Sequence, residues 1–400
     1  MGESIITRRA GAGGGETTIT FDNYAGFKRK TPTALSEARD ALAGAAVGSY
    51  ALFAGGENST SKSSTVDAYS STLIRTTPPA LYEARYFLAG ATAGGIYAIF
   101  AGGMATGAYT DMVEAYASSL TSPTPTTLSE KRYALAGASI GDYALFAGGE
   151  NLTGDISTVD AYNSSLTRST PTTLSVARSF LAAATVGSSY ALFAGGRNNT
   201  GDISTVDAYN SSLTRSTPTS LGAARSYLAG AAVGSSYALF AGGFRSTEPV
   251  AVVDAYNTYL TRTLPTFLST PRHYLAGAKV GGYALFAGGS DLTGEFSTVD
   301  AYNSSLTRIK PTALSEARFS LAGATIGNYA LFAGGSDLPN RSSTVDAYSV
   351  SSYLDISLFP GTKYKFNDMS QEETSTSFET LGFSTPVNGY MKIQNVTVQN

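Results

Sequence analysis

A unit of 46 or 47 residues recurs seven times along this chain of 400. Each copy closes on a Gly pair, usually as Tyr-Ala-Leu-Phe-Ala-Gly-Gly. The first glycine of the pair is Gly55, Gly102, Gly148, Gly195, Gly242, Gly288 and Gly334, at intervals of 47, 46, 47, 47, 46 and 46. A fixed period of this length belongs to solenoids, propellers and arrays, in which each unit buries its apolar face against the next. The repeat therefore overrides the two or three domains that length alone would suggest.

Within one unit the signals are those of short strands. In the copy from Arg178 to Leu221, Leu181 to Val186 is a small apolar run and Gly187-Ser188-Ser189 a turn. Tyr190 to Ala194 is a second run, apolar on both alternating faces, so it needs cover on both sides. After a polar connection, Arg197 to Ile203, comes Ser204 to Tyr209, β-branched and aromatic. Asn210-Ser211-Ser212 turns the chain into a last extended run, Leu213 to Thr219, with Pro218 near its end. Four such runs read as a four-stranded antiparallel meander. Proline suits an outer edge because it donates nothing to a ladder. Ala and Gly in the first run suit an inner strand crowded around an axis. The expected fold is all-β: a seven-bladed propeller over residues 16–358, with a short N-terminal arm (1–15) and a strand-rich C-terminal extension (359–400).

The order Arg, small-residue strand, Tyr-x-x-Phe-x-Gly-Gly and Val-Asp-x-Tyr resembles the kelch repeat from about Arg39 to Tyr348. Leu-Thr-Arg, as in Leu166-Thr167-Arg168, stands where that family usually places a fourth-strand Trp. The resemblance implies a kelch-like propeller. An eighth Asp-x-Tyr, Asp22-Asn23-Tyr24, precedes the first full unit. The ring is thus expected to close where residues of about 16–34 share or flank a blade with about 319–358.

Net charge is −3 with 14% charged residues and no long run of one sign, which argues against a basic nucleic-acid surface. No cysteine is present, so disulfides and thiolate metal sites are excluded. No apolar stretch has the ~18 residues of a membrane span, and the first residues contain no apolar core of a secretory signal. The Asn-x-Ser/Thr triplets, such as Asn163-Ser164-Ser165, read as turn chemistry. Gly11 to Gly15 lacks the Lys-Ser/Thr of a phosphate loop. In the C-terminal extension, Lys363 to Phe366 and Tyr390 to Ile393 alternate like strands. Some 40 residues rarely hold a core alone, so this segment is expected to dock on the ring or another subunit.

An Arg opens every unit (Arg39, Arg85, Arg132, Arg178, Arg225, Arg272 and Arg318). Seven copies point to a structural bond to a carbonyl or a neighbouring carboxylate, such as the Asp of Val-Asp-Ala-Tyr, rather than to a ligand. One histidine, His273, without partners of its kind argues against a metal or acid–base centre. A copper site like that of galactose oxidase needs several His and a Cys. No cofactor is expected.

What varies between copies is the connection after the Gly pair and the residue after each Arg. In an antiparallel meander both emerge on one face, and loops on a rigid scaffold build binding sites. The expected ligand-binding residues are Tyr109, Arg197, Phe244, Arg245, Asp291 and Asp337, with Tyr133 and His273 at the channel mouth. The expected function is non-enzymatic recognition of a host cell-surface glycan or protein by a bacteriophage tail or baseplate protein. Its arm and extension would then meet other virion subunits or further copies. The alternatives are an intracellular, cytoplasmic kelch-like scaffold and a sugar-modifying propeller enzyme using Tyr86, Tyr133, His273 and Asp40.

Overall fold

The computed structural model describes the backbone of residues 24–358 and of four later strands, Lys363–Phe366, Gln371–Thr374, Glu379–Thr385 and Thr397–Gln399, and the side chains of 26–350. The expected arm at 1–15 and the expected strand at 390–393 lie outside these residues.

The blades occupy one compact unit, Arg29–Ser349. Among the described residues seven antiparallel sheets repeat, with inner strands Ala43–Val47, Ala89–Ala93, Ala136–Ile140, Ala182–Val186, Ala229–Val233, Ala276–Val280 and Ala322–Ile326. The fold is a seven-bladed β-propeller. Blade four shows the pattern: Ala182–Val186, Tyr190–Ala194, Val206–Tyr209 and Arg215–Ser216 lie side by side in chain order. The fourth strand is only two residues long, so Pro218 follows it rather than sitting within it.

Alternation along the strands places large and small side chains on opposite blade faces. Phe100 and Tyr116 of blade two pack on Leu52, Ala54, Val66 and Ala68 of blade one. The same exchange joins blade one to blade seven, where Phe53 and Tyr69 meet Leu331, Ala333, Val345 and Ala347. The same exchange recurs at the seams from blades two and three to blades five and six, so the closing seam is packed like its neighbours.

Inner strands approach so closely that a Cβ on Gly277 would lie 2.2 Å from the Gly230 carbonyl oxygen. Gly44, Gly90, Gly137, Gly230 and Gly323 occupy the same position in their blades, while blade four carries Ala183 there.

The repeated Arg is fully buried and bonds both partners expected of it. Arg178 donates to the Phe193 carbonyl and to Asp207. In the six blades with Asp, this ion pair measures 2.7–2.9 Å. The same Asp takes a second, partly exposed Arg from the fourth strand at 3.3–3.7 Å. Two positive partners offset the cost of burying one carboxylate. The Tyr two residues on donates its hydroxyl to the linker, as from Tyr209 to the Thr172 carbonyl at 2.8 Å.

Blade two breaks the pattern in three linked places. Pro123 stands where the next three blades have Ser169, Ser216 and Thr263, and lacks the N–H that a fourth strand donates. That blade has three strands. Ser122 replaces the outer Arg. Glu114 replaces Asp and turns both carboxylate oxygens to Arg85.

Closure comes from the N-terminal side. The sheet order of blade seven puts the strand Tyr24–Lys30 outermost. Arg29 supplies the outer bond to Asp346 at 3.6 Å and donates to the Ala313 carbonyl. The chain carried this signal. Arg29, Pro32 and Arg39 have the spacing of Arg308, Pro311 and Arg318.

The other unit includes the described residues 24–28 and the described strands that follow Ser349. In it the end of the long strand Val345–Leu358 pairs antiparallel with Glu379–Thr385, and Lys363–Phe366 pairs with both Gln371–Thr374 and Thr397–Gln399.

Candidate functional site

The two variable sets meet on one face, as the meander requires. The residue after each Arg bridges to the residue after the Gly pair of its own blade: Asp40 with Glu57, Tyr86 with Met104, Tyr133 with Glu150, His273 with Ser290. Beyond the Gly pair the connection forms a small hairpin in five blades, for example Arg197–Asn198 with Gly201–Asp202.

One residue further along each linker the chain turns inward. Ala41, Phe87, Ala134, Phe180, Tyr227, Tyr274 and Ser320 all have φ between 49° and 54°. The N–H of each donates to the carbonyl of its counterpart in the preceding blade at 2.9–3.1 Å, and Ala41 donates to Ser320, so the hydrogen bonds form a closed circle. Inside this circle lies a depression of about 270 Å³, floored by leucines such as Leu88, Leu181 and Leu275.

Aromatic rings form much of its wall. Phe87 meets Phe180 edge-on at 5.8 Å. Phe180 and Tyr227, then Tyr227 and Tyr274, are tilted neighbours at 4.5 Å. Burial, with the neighbouring Tyr227, pushes the Tyr274 phenol well above its ordinary range, so it stays a donor at neutral pH. Ala41 and Ser320, neighbours in the circle, line the remaining arc with small side chains, while Ala134 lies between Phe87 and Phe180.

The residues expected to bind a ligand divide into two groups. Tyr133 packs against Phe87 and Phe180 at the rim of the depression. Tyr109 stacks on Tyr133 at 4.7 Å. His273 contacts Tyr227 and Tyr274, and Phe244 lies on His273 at 5.1 Å. Burial lowers the His273 pKa, favouring the neutral ring. Arg197 reaches the Tyr227 hydroxyl. These five surround the aromatic wall. Arg245 and Asp337 are exposed on hairpins with no ring contact in common. Asp291 spends one oxygen on its own loop, accepting from Thr293 and the Gly294 N–H. Asn163 and Asn210 accept in the same way from the turns they open.

The four residues of the enzymatic alternative are each tied to a neighbour. Tyr133 donates to Glu150, Tyr86 to the Met104 sulfur, His273 Nδ1 contacts the Ser290 carbonyl, and Asp40 faces Arg341 at 2.9 Å. Among the described residues no three His, Asp or Glu side chains are arranged to hold a metal.

Phe87, Phe180, Tyr227 and Tyr274 were not among the expected residues. Their signal was the second position after each Arg, which varies as the first does. No protein-family model matches this chain, and a search of curated proteins finds no match either.

Proposed function

We propose that this chain is a non-enzymatic recognition module of an extracellular particle, of the bacteriophage tail or baseplate kind. It engages a host-surface glycan or protein with the face built by the second-to-third and fourth-to-first connections. The observation that carries this reading is the confinement of difference. Blade interiors are near copies, while unlike side chains gather on one face around one depression. A composition rich in Ser, Thr, Ala, Gly and Tyr and free of Cys suits a particle exposed to any redox environment. The N-terminal arm and the C-terminal extension would contact other subunits.

The kelch-like order of Arg, Gly pair and Asp-x-Tyr supports a second reading, an intracellular scaffold using the same face for a protein partner. A test separates the two. The triple variant Tyr109→Ala, Arg197→Ala, Phe244→Ala should lose adsorption to host envelopes and signal on a glycan array. Its melting temperature should stay within a few degrees of the parent, since substitutions at a surface typically cost about 0.5 kcal/mol or less. Full adsorption by the triple variant would remove this face from consideration.

A further inference from the structure

Among the described residues, the non-glycine residues with positive φ form two series, with Ser246 alone outside both. One comprises Leu73, Leu120, Leu166, Leu213, Leu260 and Leu306, at φ 58–66°. Their identity never changes, and each packs against a core cluster between blades. There the strained backbone serves packing. The other series circles the depression. It reads Ala, Phe, Ala, Phe, Tyr, Tyr and Ser, so packing does not dictate its identity. Glycine would adopt this conformation at no steric cost, yet none of the seven is glycine. Strain retained beside a concave site, with the side chain changing from blade to blade, points to a use for those side chains.

The wall they build has two chemistries. Phe87 and Phe180 present only hydrocarbon. Next to Phe180 in the circle, Tyr227 and then Tyr274 present hydroxyls, with the Arg197 guanidinium 3.4 Å from the first. The space of about 270 Å³ lies just under the roughly 300–1,000 Å³ of pockets that take drug-sized ligands. It fits one small ring with an apolar face and a hydroxylated edge.

We propose that the depression is a pocket for a single hexopyranose ring of a glycan, its C–H face on Phe180 with the perpendicular Phe87 ring against its edge, and its hydroxyls on Tyr227, Tyr274 and Arg197. This rests on the recognition reading above and narrows it to one ligand class and one pocket. The open arc over Ala41 and Ser320 lets the rest of a glycan leave the pocket.

The test uses the full chain and four methyl hexopyranosides, of gluco, galacto, manno and N-acetylglucosamine type. Binding is followed by saturation-transfer NMR and by tyrosine emission, which no Trp masks. At least one glycoside should bind saturably. Phe180→Gly, which suits the local φ, and Tyr274→Phe should each weaken it tenfold or more with the fold retained. Ile74→Ala, exposed in the third-to-fourth turn of blade one, should leave it unchanged. The proposal is overturned if no glycoside saturates the folded chain, or if both pocket variants bind as the parent does. It is also overturned if N-acetyl-phenylalaninamide saturates the pocket while the glycosides do not, which would mark a site for a peptide side chain. Host adsorption that survives both pocket variants but not the Tyr109/Arg197/Phe244 triple would sink the pocket and leave the recognition reading standing.

Discussion

At the scale of single residues, charge burial is the sharpest physical statement the molecule makes. Asp40 joins blade one to Arg341 of blade seven, with Glu57 nearby. Burial pushes its carboxyl from the ordinary 3.8 up to about 6; Arg341 opposes the shift and Glu57 adds to it. A carboxyl whose folded pKa is raised binds more protons in the folded state. Its contribution to stability is therefore fullest below about pH 4 and is lost as pH rises through 6. A shift of this size corresponds to about 3 kcal/mol at most. Melting curves at pH 4 and pH 7 should show the parent losing more stability than Asp40→Asn across that window. Parallel curves would mean the carboxyl is not raised.

Among elements, the third strand and the linker before its blade act as one device. Each buried Arg holds its Asp from the linker side while the outer Arg approaches from the fourth strand. Removing the inner partner leaves a buried carboxylate with the Ser175 N–H and a longer, partly exposed ion pair, as at Asp207. Arg178→Ala should cost about 3 kcal/mol. Arg215→Ala, at 3.6 Å and 25% exposed, should cost about 1 kcal/mol or less. Denaturant titration distinguishes the two, and equal losses would refute the division of labour. Much of this was legible in the chain. Seven copies of Arg and seven acids already indicated mutual pairing, because a site seldom needs seven identical groups. The loss of the fourth strand in blade two was legible too, at Pro123, but only once the register was known.

For the whole molecule, closure governs what a local change does. Seven inner strands share one axis, so a displacement at one seam is passed to the others. Gly277→Ala places a methyl 2.2 Å from the Gly230 oxygen, where only backbone can yield. The expected loss is about 1–3 kcal/mol, the range for overpacking. A thermal melt equal to the parent would show that the ring widens freely, as Ala183 already requires of one seam.

Blade number, strand order and the inner edge of each blade followed from the sequence, because a repeat states the same local preferences seven times and leaves one way to bury them. Tertiary structure decided two further matters. One was which end supplies the closing strand: the spacing of Arg29, Pro32 and Arg39 matches that of a fourth strand, but only the contact of Arg29 with Asp346 assigns it to blade seven. The other was the aromatic pocket. Phe87, Phe180, Tyr227 and Tyr274 stand 93, 47 and 47 residues apart (180 − 87, 227 − 180, 274 − 227). Only the circle of backbone hydrogen bonds turns them toward a common centre. No local pattern encodes that meeting, since it depends on the curvature of a ring that exists only when it is closed.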